Sequence, residues 1–160
     1  MGLGFSKSRN KQNKQNEQCR NIKDVLHFPE KIEEMENLTL KNTLKFNFEN
    51  EVHLCKVLSC YDGDTIRVAF KHNGKYIQHP IRMEGYDTPE IRTKDEEEKK
   101  KAIEARDVLR EKILGKYVYV KFGKFCKYGR ILGTVYLNEQ DFGNRSKSIN
   151  KYMEQYGKLI

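Results

Sequence analysis

The sequence predicts a small antiparallel α+β fold, mainly β, for which a partly open five-stranded barrel with flanking helices is one solution. Three observations predict it. Apolar residues alternate with polar ones over five short segments, and a longer stretch carries apolar residues at helical spacing. The order is three strands, a helix, then two strands, which excludes the regular strand-helix alternation of a parallel sheet. At 160 residues the chain fits one domain rather than two.

The first strand is expected to open near Thr43, with Leu44, Phe46 and Phe48 alternating, then Val52 and Leu54, and Val57 and Leu58 leading into Tyr61. Asp62-Gly63 is a hairpin turn signal. Ile66, Val68 and Phe70 then alternate with Arg67, Ala69 and Lys71 as strand two, and His72-Asn73-Gly74 marks the next turn. Strand three covers 76–84. Thr93, with Glu96 three residues on, forms a capping box, and Ala102, Ala105, Leu109 and Ile113 make one helical stripe that Gly115 stops. Strands over 117–122 and 130–137 follow, then a short helix over 148–156.

Composition places limits on function. The formal charge of +8 is uneven: residues 1–20 carry +4, residues 21–50 carry −2 and residues 51–160 carry +6. The packed part is therefore basic in its own right, which favours a polyanion such as nucleic acid or anionic lipid as partner. Apolar residues fall short of the roughly 45–50% of an average globular chain, so part of the sequence is expected to stay unpacked. Residues 1–20 read as a flexible basic tail, 21–43 as a linker or adherent strap, and 44–160 as the packed domain. No apolar run approaches the roughly 18 residues of a membrane span. Lys7 interrupts the N-terminus before a signal-peptide core can form, so the protein is expected to be cytoplasmic and not secreted. The four cysteines, Cys19, Cys55, Cys60 and Cys126, lack a C-x-x-C pair and read as buried thiols rather than zinc ligands or disulfides.

Three polar clusters fall at strand ends, where a rigid scaffold presents functional groups. They are Asp62-Gly63-Asp64-Thr65, then the run from Arg82 to Glu90 containing Asp87-Thr88-Pro89-Glu90, and Lys127-Tyr128-Gly129-Arg130. Carboxylates on fixed loops supply the oxygen donors a hard divalent cation wants, and Asp64 and Asp87 are the natural ligands. A guanidinium grips phosphate through two parallel hydrogen bonds, so Arg82 and Arg130 beside a cation would clamp a phosphodiester. The alternative for Arg82 is an ordinary salt bridge, for example with Glu84 on the same strand face.

These three blocks, in this order, resemble the staphylococcal (thermonuclease-type) nuclease family, whose pattern runs D-G-D-T, R-x-x-x-x-D-T-P-E, a helix, then K-Y-G-R. The resemblance covers about residues 50–157. It implies an OB-fold five-stranded barrel and one calcium ion (Ca2+) held by Asp64, Asp87 and the Thr88 carbonyl. It also implies Arg82 and Arg130 on the scissile phosphate, Glu90 activating or orienting the attacking water, and Lys127 and Tyr128 on neighbouring phosphates. The implied activity is hydrolysis of DNA and RNA with little sequence specificity, leaving 3′-phosphate and 5′-hydroxyl ends. The competing class is a non-catalytic OB-fold nucleic-acid-binding module. Two departures stand out: Cys126 replaces the Asp usual before K-Y-G-R, and the sequence stops soon after Tyr152 and Tyr156, where bacterial relatives continue into a further helix and a tyrosine-bearing loop.

Met1 to Ser6 matches the N-myristoylation pattern at Gly2. One myristoyl chain anchors weakly, so Lys7, Arg9, Lys11, Lys14 and Arg20, or a palmitate on Cys19, would supply the second signal for a membrane tether. The bland reading is a basic leader that assists solubility or nucleic-acid binding.

Overall fold

The computed structural model describes residues 32–160. The expected tail, the first part of the strap, Gly2 and Cys19 lie outside the described residues. The described chain divides into two units after Lys45. The first contains a 3-10 turn at Ile32–Glu34 and a second turn in which Thr39 N–H donates to Asn42 Oδ1 at 2.6 Å.

The second unit is built on a closed barrel of β1 (Val52–Cys60), β2 (Thr65–His72), β3 (Lys75–Met83), β5 (Tyr117–Phe125) and β6 (Ile131–Tyr136), in the order β1-β2-β3-β6-β5. The barrel is closed rather than partly open, and it is not wholly antiparallel. An odd number of strands cannot alternate in direction all the way round a ring, and the mismatch falls between β3 and β6, which pair parallel through Arg82 and Leu132. Alternation puts Cys55, Val57, Val68, Phe70, Val118, Val120 and Phe122 inside the barrel.

The expected strand at 44–48 does not form. Asn50, at φ 70°, turns the chain there, and its N–H donates to the Phe122 carbonyl at 2.8 Å. Phe48 is nonetheless core, packed edge-on to Phe70 and Phe122, whereas Leu44 and Phe46 are exposed. Alternation in that stretch therefore carried burial at only one of its three positions.

Helix α1 (Glu96–Ile113) buries Ala102, Ala105, Leu109 and Ile113, the expected stripe. Burying Leu109 and Ile113 contributes about 1.5–3 kcal/mol each. Its cap is not Thr93 but Asp95, whose carboxylate accepts from the N–H groups of Glu97 and Glu98 at 2.9 and 3.0 Å. An aspartate adjoining the first turn reaches those orphan donors directly and also favours the positive end of the helix dipole. Thr93 instead donates its hydroxyl to Glu98 at 2.8 Å.

Ser148 caps the short α2 (Ile149–Met153), which a 3-10 turn continues to Tyr156. A pair of two-residue strands, β4 (Tyr86–Asp87) and β7 (Lys158–Leu159), joins the end of the chain to the segment after β3. Such short strands carry no periodic signal, and none was expected. Among the described residues no helix is long and apolar enough to cross a membrane. Cys55 and Cys60 are buried free thiols, as expected, while Cys126 is part-exposed.

Candidate active site

The turn from Tyr61 to Thr65 is shaped by what presses on it. Tyr61 N–H donates to the Thr65 carbonyl at 2.8 Å, closing the loop between β1 and β2. Gly63 lies so close to α1 that a Cβ there would stand 2.7 Å from Ala105 Cβ and 2.9 Å from Thr88 Cγ2. The buried Tyr86 hydroxyl donates to the Gly63 carbonyl at 2.8 Å. Fixed in this way, Asp64 points inward and is buried. Its Oδ2 accepts from the Thr88 N–H at 2.8 Å and the Thr88 hydroxyl at 2.9 Å, and its Oδ1 accepts from the Thr65 hydroxyl at 2.8 Å.

Arg82 stands opposite Thr65 in the β2–β3 ladder. Strand alternation would send Arg82 outward with Glu84, but at this end of the barrel Ile81, Arg82 and Met83 are all buried. The loop carrying Asp87 and the Asp62 turn cover Arg82, and they supply its partners. One guanidinium nitrogen lies 3.1 Å from Asp64 Oδ2 and the other 2.5 Å from Asp87 Oδ1. Glu84 is not the partner of Arg82; its carboxylate accepts from the Thr134 hydroxyl at 3.2 Å. The Asp87 side chain stays 60% exposed, so this end of the clamp faces solvent.

Arg130 arrives from the opposite direction. Cys126 N–H donates to the Arg130 carbonyl at 2.8 Å, and Gly129 N–H to the Cys126 carbonyl at 2.9 Å, forming a tight turn with Gly129 at φ 75°. His79 of β3 donates from Nε2 to the Gly129 carbonyl at 2.9 Å. From that anchored turn Arg130 donates to the Thr65 hydroxyl at 3.0 Å. Among the described residues its Nε is the buried side-chain polar atom left without a hydrogen-bond partner. The exposed Tyr128 ring lies 5.6 Å from the Arg130 guanidinium and 4.9 Å from Lys127 Nζ, so the three side chains form one basic, aromatic edge. Burial works against the Cys126 thiolate, but hydrogen bonds from Tyr128 and Arg130 and the Arg130 charge outweigh it, and the thiol is held below the ordinary range.

Arg82, Asp64, Thr65 and Arg130 are therefore linked in one continuous chain, by an ion pair between Arg82 and Asp64 and by hydrogen bonds from Asp64 through Thr65 to Arg130, with Asp87 and Thr88 attached at Arg82 and Asp64. Residues 80–158 match the family model of the staphylococcal nuclease homologues. Over this segment the chain is similar to the staphylococcal nuclease homologues. The match takes in Arg82, Asp87, Thr88, Glu90, Lys127, Tyr128 and Arg130, while the Asp62–Thr65 turn lies ahead of it. A search of curated proteins finds no match.

Glu90, within the matched segment, is exposed. With Asp87 and Thr88 it lines a cleft of about 660 Å³ whose other walls include Lys101 and Glu104 of α1 and Tyr156 and Gly157. Burial raises the Asp62 carboxyl above its usual range, and the charges of Asp64 and Glu90 raise it further, so negative charge concentrates here despite Arg130. Every donor in the set is an oxygen, which is the chemistry of a hard cation such as calcium. Among the described residues no three His, Cys, Asp or Glu side chains are grouped to hold a metal; Asp64 and Asp87 meet on the Arg82 guanidinium. The donor chemistry fits the ion the family resemblance implies.

Two positioning residues carried no sequence expectation of their own. Thr65 lay inside a noted motif, but nothing there distinguished a bridge from a turn residue. Gly157 sits where a Cβ would fall 2.5 Å from the Asp87 carbonyl oxygen, so β7 approaches β4 only because this residue lacks a side chain. A glycine shortly after a helix ordinarily reads as a helix stop.

Proposed function

We propose that the protein is a calcium-dependent nuclease that hydrolyses phosphodiester bonds of DNA and RNA with little sequence specificity, leaving 3′-phosphate and 5′-hydroxyl ends. The observation that carries this reading is the link from Arg82 through Asp64 and Thr65 to Arg130, which ends in a buried, unpartnered Arg130 N–H beside the acids. A donor held dry and unused is suited to an anionic ligand, because pairing it recovers the free energy lost by burying it.

Asp64, Asp87 and the Thr88 carbonyl would hold calcium, which supplies Lewis-acid polarisation of the phosphoryl oxygen and a bound water. Arg130 offers Nε and its remaining terminal nitrogen to the phosphate. Arg82 keeps its contact with buried Asp64 and turns from solvent-facing Asp87 towards the same phosphate. Two guanidiniums placed where charge accumulates supply transition-state stabilisation of several kcal/mol. Glu90, at the cleft mouth, accepts a hydrogen bond from the attacking water. Lys127 and Tyr128 take the next phosphate along the strand. A tether to the cytoplasmic face of a membrane through acylated Gly2 and its basic neighbours belongs to the same proposal; myristate incorporation with Gly2→Ala as control tests it.

One observation favours the second reading, a nucleic-acid-binding module without turnover: Arg82 is closed on both carboxylates. Incubation with single-stranded DNA in calcium and then in chelator separates the two. Fragments in calcium and intact DNA in chelator support the nuclease; retardation without cleavage in both conditions supports the binder.

A further inference from the structure

Beside the Asp62 turn lies a second concavity, of about 340 Å³, walled by Tyr61 at the end of β1, by Arg92, and by Arg106 and Arg110 of α1. Three guanidiniums meet there against one carboxylate. Asp107 Oδ1 takes Arg106 Nε at 2.8 Å and a terminal nitrogen of Arg106 at 2.8 Å, and lies 3.5 Å from Arg110. Among the described residues Arg92 has no carboxylate ion pair; its guanidinium lies 5.9 Å from the half-exposed Tyr61 ring. The hollow thus holds a surplus of two positive charges, Arg106 and Arg110 are oriented beforehand by Asp107, and an aromatic ring stands at its rim. Cys60, in the same wall, is buried and its thiol is pushed up to about 11, so the hollow offers binding and not a nucleophile.

Its place gives it a purpose. Tyr61 directly precedes Asp62, and Arg92 follows Glu90 by two residues. The Ile91 backbone N–H works against the upward shift of the Asp62 carboxyl, so the two walls approach each other next to the acids. We propose that Arg92, Arg106, Arg110 and Tyr61 form a further subsite for the nucleic-acid strand, holding a phosphate and an adjoining base beyond the one processed between Arg82 and Arg130. This rests on the nuclease reading for its substrate. Guanidiniums supply the sequence-independent phosphate contact, and the ring supplies a stacking surface that any base can use.

The test is anisotropy of a fluorescein-labelled single-stranded 12-nucleotide DNA in EDTA, on the full chain, for wild type, Arg92→Ala and Arg92→Ala/Arg110→Ala, each checked by thermal melting. Hydrolysis of a dinucleotide in calcium is followed in parallel. The double variant is expected to bind the 12-mer about tenfold more weakly. The slope of its log affinity against log salt should be shallower by about 0.7, the share of the one phosphate that is no longer neutralised. Dinucleotide hydrolysis should stay unchanged. Arg92→Ala, which breaks no ion pair, should show about half the change in slope and keeps the test open if the double variant melts early. Unchanged 12-mer affinity and slope in a folded variant, or no binding by the wild type, would overturn the subsite. Binding that depends on these arginines without any wild-type hydrolysis would overturn the nuclease reading alone.

Discussion

The hydroxyl of Thr65 accepts a hydrogen bond from Arg130 at 3.0 Å and donates one to Asp64 at 2.8 Å. A single β-branched residue thereby connects a guanidinium from the β5–β6 turn to a carboxylate from the β1–β2 turn. Two elements 65 residues apart in sequence are held in register by one oxygen.

Thr65→Val keeps the shape and β propensity but removes that oxygen. A hydrogen bond to a charged group is worth about 1.5–3 kcal/mol, so turnover should fall by roughly 10- to 100-fold. Global stability should change far less than in Asp64→Ala, which leaves buried Arg82 short of a partner and costs about 3 kcal/mol or more. Steady-state kinetics alongside thermal melts check both halves. A Thr65→Val enzyme with normal turnover would mean that Arg130 is positioned without the bridge.

Gly157→Ala tests whether the end of the chain positions Asp87. The added methyl would meet backbone, not a flexible side chain, at 2.5 Å, so β7 or β4 must move. Calcium half-saturation for cleavage should rise several-fold while the barrel melts nearly as before. Gly157 sits at φ −148°, extended backbone that alanine adopts freely, so the effect is steric.

Thiol chemistry should divide the cysteines sharply. Burial pushes Cys55 up to about 12 and Cys60 up to about 11, so at pH 8 neither presents appreciable thiolate. Arg130 and the Tyr128 backbone hold Cys126 below the ordinary range, against the opposing effect of burial. In a Cys19→Ser background, iodoacetamide at pH 8 should label Cys126 first and reach Cys55 and Cys60 only on unfolding. Peptide mass mapping over time reads the order; early labelling of Cys55 or Cys60 would contradict the packing described.

Much of this was legible in the sequence because local pattern and tertiary environment agreed. The stripe Ala102, Ala105, Leu109 and Ile113 faces the core as its spacing predicts, and the strands bounded by Asp62-Gly63 and Asn73-Gly74 form. Where one local signal had a nearby competitor, the reading failed: Asp95 took the cap from Thr93 because it adjoins the first turn, and the 44–48 alternation lost to the turn at Asn50. Contacts that depend on barrel closure had no local signal at all. Asn150 is one case: buried in α2, it donates to the carbonyls of Glu84 and Gly133 at 3.0 and 2.9 Å and accepts from Val135 N–H at 2.9 Å. It ties the segment after β3 to β6, yet as a lone Asn in a short helix it reads like any surface residue. Arg82 is the instructive case within the site. Pairing with Glu84 follows from strand periodicity, but the barrel's end buries both faces and gives Arg82 to Asp64 and Asp87.

The most direct test is cleavage of a single-stranded oligonucleotide over a calcium titration, with mass analysis of the product ends, for wild type, Arg82→Ala and Arg130→Ala. Saturable calcium dependence, 3′-phosphate and 5′-hydroxyl ends, and loss of nearly all turnover in both folded variants are the predicted result. Wild-type rates in both variants, or cleavage that persists in chelator, would contradict it.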